Sequence, residues 1–364
     1  MLTEEHGNLL EAPADALVNT VNTVGIMGKG LALQFKQAYP GNFRAYEAAC
    51  KRGEVGLGKM FTYETGQLDG PRLIINFPTK AHWRSRSKLC DIKVGLRSLR
   101  TVISERNIQS IAIPPLGCGN GGLDWNEVRP LIVEALGDLP GVRVMVYPPQ
   151  EPPSAESMPV RTRRPRMTAG RSALLAMVGS YVDLSRREEA ATADGASLLE
   201  IQKLMYFLQE RGQDLGLDYV KARYGPYAGN LNHALEPLEG HYIRGYGDRS
   251  DRVLKLSPIS LMPGAVDEAE NWLSEHAEDK TLDRISAVKD LVTGFASAYG
   301  VELLATVHWT STREVAGGST DPALLTAVIG DWNERKGRLF TEAHVSKAVG
   351  RLEELGWIGK QRGV

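Results

Sequence analysis

The sequence predicts an α/β fold in three layers for residues 1–150, a mixed or parallel sheet between helices, followed by a mainly α-helical second domain. Three observations carry this. In the first part β-rich runs alternate with helix-periodic stretches, glycine-rich loops stand at the strand ends, and from Ser172 onward helical periodicity takes over. Residues 151–170 lie between, proline-rich from Pro148 and then basic from Arg161 to Arg166, and read as an extended linker. The second domain then spans 171–364. A chain of 364 residues is too long for one ordinary core, which agrees with this division.

Taken in order, Ala16 to Asn22 reads as a short strand ending in polar groups, Gly25 to Gly30 as a glycine loop, and Leu31 to Tyr39 as a helix stopped by Pro40-Gly41. A second amphipathic helix covers 43–55, and Gly56 to Tyr63 turns into a strand. Leu73 to Phe77 is a buried-strand run cut by Pro78, and Lys80 follows at once. Cys90 to Glu105 is a helix with Ile92, Leu96 and Leu99 on one face, and Ile108 to Ile113 is a strand. A second glycine loop runs from Pro114 to Trp125, before a helix over Asn126 to Gly137 and a last strand over Gly141 to Tyr147.

Composition excludes several classes. No run approaches the ~20 apolar residues needed to cross a bilayer, and the N-terminus lacks a signal peptide's basic and apolar regions, so a soluble cytoplasmic protein with no membrane partner is expected. Cys50, Cys90 and Cys118 are an odd count without metal spacing, which indicates neither disulfides nor zinc. His6 has no companion, and His233, His241, His276 and His308 are scattered, so no metal or cofactor is expected. Net charge is near zero but uneven, +3 over residues 1–150, +2 over 151–170 and −6 over 171–364, so the halves should meet different partners.

In open α/β sheets ligands bind beyond the carboxyl ends of the strands. Two glycine loops and a lysine at such ends can line one crevice, as a diphosphate-containing nucleotide requires. Neither loop is a Walker motif, and Gly25 to Gly30 lacks the G-x-G-x-x-G spacing, so nucleotide binding is favoured without hydride or phosphoryl transfer.

Three separated stretches, Gly7-Asn-Leu-Leu, Val18-Asn-Thr-Val-Asn with Gly28-Lys-Gly-Leu-Ala, and Pro115-Leu-Gly-Cys-Gly-Asn-Gly-Gly-Leu-Asp-Trp, occur in the order found in macrodomains, the ADP-ribose-binding fold. Residues 1–150 resemble that family, and Lys80 after Asn-Phe-Pro-Thr resembles its DarG type, the antitoxin macrodomains that remove ADP-ribose from thymidine in DNA and pair with a DarT toxin. The resemblance implies that Asn8 stands where an Asp usually reads the adenine amine. It further implies that Asn22 lies by the distal ribose, that Gly28, Lys29 and Gly30 wrap it, and that the run Leu116, Gly117, Cys118, Gly119, Asn120, Gly121, Gly122 cradles the diphosphate with backbone amides. The alternative for Asn22 is an Asx-turn residue.

Breaking a ribosyl bond to a base nitrogen passes through an oxocarbenium-like centre that an amine can attack, opening the sugar toward a Schiff base for water to hydrolyse. Lys80 is the candidate nucleophile, made partly neutral by desolvation or by Arg84, Arg86 and Lys88. His82 and Trp83 offer a stacking surface for DNA, with Arg84, Arg86 and Lys88 on phosphates, although Trp83 reads equally as core and the cations as a solvated helix start. Cys118 reads as a small apolar wall. Glutamate-cleaving relatives carry an acid in the second loop where this sequence has Gly121, and Asp124 reads as a helix cap.

In the second domain helices are expected over Ala173 to Ser185, Leu198 to Arg211, Asp267 to His276 and Asp283 to Tyr299. Leu198 to Glu210 with Tyr224-Gly-Pro-Tyr-Ala-Gly-Asn-Leu is similar to Panacea or SocA-like antitoxin modules, which bind a toxin. Phe340 to Ile358 reads as the end of a winged helix, with protein contact favoured over DNA because Glu353 and Glu354 offset Lys347 and Arg351. Together the resemblances imply an antitoxin that hydrolyses ADP-ribose from thymidine bases of single-stranded DNA through residues 1–150 and binds a cognate DarT-type ADP-ribosyltransferase through 171–364. The alternatives are a hydrolase of ADP-ribosyl-glutamate on protein, or a non-catalytic ADP-ribose-binding module with a regulatory second half that binds DNA or protein.

Overall fold

The computed structural model describes residues 1–67, 69–188, 195–249, 258–276 and 279–359. The chain forms two compact units, Met1–Arg163 with Gly247–Asp251, and Arg164–Tyr246 with Arg252–Val364. No helix among the described residues is long and apolar enough to cross a membrane.

In the first unit the elements are β1 (Leu2–Glu4), β2 (Ala16–Asn22), α1 (Leu31–Ala38), α2 (Pro40–Lys51), β3 (Phe61–Glu64), β4 (Leu73–Lys80), α3 (Leu89–Glu105), β5 (Ser110–Ile113), α4 (Trp125–Leu136) and β6 (Arg143–Val146). They build a six-stranded sheet in the order β1-β6-β5-β2-β4-β3, parallel except where β3 runs against β4. The central strands are covered on both faces, which is why β2 and β4 each begin with an unbroken apolar run, Ala16–Val18 and Leu73–Ile75. On one face Val18, Ile75, Phe77 and Ile113 pack with Leu96 and Leu99 of α3 and Ile132 of α4. On the other, Leu17, Ile74 and Ala112 pack with Phe35 of α1. Helix α3 comes so near the sheet that a Cβ at Gly95 would lie 2.2 Å from the Phe77 ring.

Two local expectations change, and one strand is added. Pro40 does not only stop α1; it opens α2 at the first helical position, where its missing N–H costs nothing. Strand β1, with only three residues, was not legible and forms by pairing with β6. Pro78 does not cut β4, which continues to Lys80. The β3 ladder ends at Asn76, so no partner on that side needs an N–H from residue 78, and the β2 register slips between Val21 and Asn22 just beyond it. The slip sets Lys80 opposite Asn22.

The second unit contains α5 (Ala169–Arg187), α6 (Leu198–Glu210), β7 (Tyr219–Ala222), β8 (Gly225–Ala228), α7 (Leu231–Leu235), β9 (Ile243–Arg244), β10 (Ser260–Leu261), α8 (Ala265–Glu275), α9 (Asp279–Val292), α10 (Ala298–Trp309), α11 (Pro322–Trp332), α12 (Glu334–Leu339) and α13 (Glu342–Glu354). Helix α10 is buried from Gly300 to Trp309, and its one carboxylate, Glu302, is paired with Arg335 and Lys336. The single helix expected over Asp283 to Tyr299 is two. Gly294, at φ +80°, breaks the chain after α9, and Ser297 restarts it by accepting a hydrogen bond from Gly300 N. No strand follows α13 among the described residues, and Trp357 sets its ring 5.3 Å from that of Phe207.

Candidate functional site

The site forms where β2 and β4 end side by side. Lys80, the last residue of β4, is half-buried, and its Nζ donates to Trp83 O at 3.1 Å and to Asn120 O at 3.0 Å. One amine thus joins the strand end to the second glycine loop. Burial holds the Lys80 amine below the ordinary lysine value. The two carbonyl acceptors fix the position of Nζ between the strand end and the loop and leave its remaining bonding direction open toward the crevice.

The first loop is shaped from within by Asn22. Its Oδ1 accepts from Val24 N at 3.0 Å and Ile26 N at 3.3 Å, and its Nδ2 donates to Ile26 O at 2.6 Å. This is the Asx-turn arrangement, and it commits the amide to the loop's own backbone. Tyr46, which sequence reasoning missed, donates from its hydroxyl to Asn22 O at 2.5 Å, and burial pushes its phenol up so that it stays a donor. Gly30 closes the loop at φ 62°, ψ −151°, a region open essentially to glycine alone. Gly28 is half-buried and Lys29 exposed.

In the second loop Leu116 is buried in the apolar core beneath the sheet's end, so only its backbone can face a ligand. Gly117 and Gly122 adopt φ +74° and +76°, while Gly119 and Asn120 are exposed. Gly121 has a different reason to be glycine. A Cβ there would lie 2.3 Å from both Gly117 O and Ser87 Oγ, so no acidic side chain fits this loop shape. Burial, then Asp124, pushes the Cys118 thiol up to about 11, which suits an inert wall. Asp124 caps α4 by accepting from Asn126 N at 2.9 Å.

Beside Lys80 the segment 81–86 is exposed. The rings of His82 and Trp83 stack at 5.4 Å, and the Arg84 guanidinium lies 4.5 Å from the Trp83 ring centre. Trp83 is therefore not core. Arg86 is exposed as well. Asn8 is farther along the sheet's end, capping a 3-10 turn over Leu9–Glu11. Its Oδ1 accepts from Leu10 N at 3.1 Å and its Nδ2 donates to Ser157 O at 3.2 Å, so only a second lone pair on Oδ1 is left for an adenine amine. The Ser157 contact had no signal in the sequence. Neither had the buried amide cluster of Asn19, Asn42 and Asn76, in which Asn76 Oδ1 accepts from both other side chains. Among the described residues no group of His, Cys, Asp and Glu is placed to hold a metal.

The Macro domain family model matches residues 18–132. The DNA ADP-ribosyl glycohydrolase of Mycobacterium tuberculosis is 48% identical over 358 residues, which cover 97% of this chain and 99% of the relative. The chain belongs to the DNA ADP-ribosyl glycohydrolase family. The solved macrodomain of Mycobacterium tuberculosis DarG is 61% identical, with a TM-score of 0.41, covering 41% of this chain and 99% of that one. A DNA ADP-ribosyl transferase-DNA ADP-ribosyl glycohydrolase fusion protein of Thermosipho africanus is 36% identical over 160 residues, 40% of this chain and 41% of the fusion.

Proposed function

We propose that the protein removes ADP-ribose from thymidine bases of single-stranded DNA, with Lys80 as the nucleophile. What carries this reading is the placement of Lys80: half-buried, with its pKa lowered, bound to the second glycine loop through Asn120 O and next to the exposed His82–Trp83–Arg84 stack. The neutral Nζ attacks the anomeric carbon of the distal ribose as the bond to the base nitrogen breaks, and the departing base takes up a proton. Ring opening at the same carbon gives a Schiff base. Water adds to it and expels the amine, which frees ADP-ribose and restores Lys80. The two glycine loops hold the diphosphate and ribose with backbone amides, the stack receives a neighbouring base, and Arg84 and Arg86 meet phosphates. With no room for an acid at Gly121, proton transfers use water, a group of the substrate or another residue of the crevice.

Residues 171–364, in this reading, sequester a DarT-type ADP-ribosyltransferase, the toxin whose product the first domain removes. Its net charge of −6 suits a partner with a cationic DNA-binding cleft. The Thermosipho africanus relative, in which a transferase and a glycohydrolase share one chain, supports the pairing.

The test incubates the protein with ADP-ribosylated thymidine oligonucleotide and, separately, with protein ADP-ribosylated on glutamate. Release from the oligonucleotide and a borohydride-trapped adduct on Lys80 are expected. Release only from protein would replace the substrate, and release without a trapped adduct would remove the Schiff base. For the second half, the full chain is mixed with its cognate transferase at low salt, where failure to form a complex would end the proposal.

A further inference from the structure

The first unit takes in Gly247–Asp251, a stretch encoded between β9 and β10, of which 247–249 are described. These residues lie on the first glycine loop. Gly30 N donates to Asp248 O at 2.8 Å, and Arg249 Nη1 donates to Gly28 O at 3.1 Å. Asp248 is also anchored through its side chain, with Gln34 Nε2 of α1 donating to Oδ2 at 2.6 Å, and it is 3% exposed. Arg249 holds φ +64°, a left-handed conformation that a side chain adopts at a cost and that persists where surroundings fix it. Gly247 lies beside the segment after residue 150. A Cβ there would lie 3.9 Å from Ala155 Cβ and from Met158 Cε, and Ser157 of the same turn accepts from Asn8.

We propose that Asp248 and Arg249 are positioning residues of the glycohydrolase site: they clasp Gly28–Gly30 in the shape that receives the distal ribose of ADP-ribose. The inference rests on the reading of this loop as the ribose loop. Without the clasp, the Gly30 N–H and Gly28 C=O would turn to water and the loop would sample several conformations before binding. A preorganised loop spares that ordering cost, so its loss falls on affinity rather than on the bond-breaking step at Lys80. Residues 154–158 extend the same outer frame to the adenine end at Asn8, so segments beyond residue 150 border both ends of the site.

The test measures ADP-ribose binding by calorimetry and the kcat and KM of release from ADP-ribosylated oligonucleotide, using the full chain with Arg249→Ala, Arg249→Lys, Asp248→Ala and Asp248→Asn. Arg249→Ala is expected to raise Kd and KM roughly tenfold, the effect of losing one charge-assisted hydrogen bond, with kcat changed less than about twofold. Arg249→Lys keeps a donor for Gly28 O and should stay near wild type. Asp248→Asn keeps both acceptors and should do the same, whereas Asp248→Ala weakens binding through the loss of its anchor to Gln34. A role in folding alone would instead lower the active fraction, reducing apparent kcat at unchanged KM, and the lysine and asparagine variants guard against misfolding of the alanine ones. Unchanged Kd in folded variants would overturn the clasp while leaving the glycohydrolase reading intact. Tighter binding would also overturn it, since the segment would then be a brake. A wild-type chain that does not bind ADP-ribose would overturn both.

Discussion

Lys80 and Lys203 are both lysines that burial holds below their ordinary pKa, one in each unit, and they stand in opposite relation to solvent. Lys80 ends a strand beside an exposed aromatic segment, with its amine on the carbonyls of two loops. Lys203 is 1% exposed in α6, donates to Pro226 O at 2.7 Å, and lies near a buried network in which Glu302 accepts from Arg335 and Lys336. For Lys203 burial acts first, Lys336 adds to it, Glu302 opposes both, and the result is about 7. The more strongly perturbed lysine is thus the one that no substrate reaches. A shifted pKa marks a buried charge, and it marks a site only where geometry also gives access.

The largest expected effect separates the two. Lys80→Ala should slow release from ADP-ribosylated DNA by on the order of a hundredfold or more, the usual cost of removing a group that takes part in the chemical step. Lys80→Arg should do no better, because a guanidinium keeps its charge and has no lone pair to offer. Lys203→Met should leave the rate unchanged. Equal loss in Lys80→Ala and Lys203→Met, measured on the same oligonucleotide, would break the distinction between them.

Glu302 tests the structural side. Removing it leaves Lys336 buried without its carboxylate, so Glu302→Ala should destabilise the second unit by about 3–5 kcal/mol in urea unfolding. Although burial would raise the Glu302 carboxyl, its contacts with Arg335 and Lys336 prevail and hold it below the usual range. The pair therefore contributes stability above the unfolded carboxyl's pKa, and that stability is lost as pH falls through the lower folded value.

Gly121 gives a smaller effect on the other side. Forcing a Cβ to 2.3 Å from Gly117 O should cost about 1–3 kcal/mol and loosen the loop that holds Lys80 through Asn120. Because Ser87 Oγ is the second obstacle, Ser87→Ala should recover only part of the loss in Gly121→Ala. Full recovery in thermal melts would mean that the backbone contact is slack.

The elements that could be read from the sequence were those in which local pattern and tertiary need agree. Strand, glycine loop and helix in succession, repeated at Ala16–Ala38 and Ser110–Leu136, carry their own periodicity and turn residues. What could not be read depends on distant partners. Strand β1 has three residues and exists because β6, at the far end of the unit's sheet-forming chain, pairs with it. Pro78 looked like a strand breaker because its ladder partners, which end before it or slip beside it, are invisible locally. The gap between α9 and α10 turns on Gly294, a residue that a continuous helix would tolerate at modest cost. At the site, Lys80 and the glycine loops were legible from residue type and order. The groups that hold them were not, because Tyr46, Ser157, Asp248 and Arg249 act across chain separations that no local pattern records.

The smallest effect concerns Lys203 itself. An unfolded lysine titrates near 10.5 and the folded one at about 7, so between those values the unfolded chain binds more protons. Stability should therefore rise with pH across that window by at most ~1.4 kcal/mol per pH unit, and the penalty of the buried charge should be fully present below it. Lys203→Met removes this titration and puts an apolar chain of similar length in the same place, which for buried charges is often neutral or stabilising. The variant should lose the upward slope between pH 7 and pH 10 seen in wild-type thermal melts. Its gain over wild type should be greatest at pH 7 and fade toward pH 10, where a neutral Lys203 no longer resists burial. Glycohydrolase rates over the same range should behave differently, rising with pH alike in wild type and Lys203→Met as the Lys80 amine loses its proton. A slope in stability that survives the methionine would assign it to another group and leave Lys203 charged in its core, held by Pro226 O and Glu302 rather than neutralised by burial.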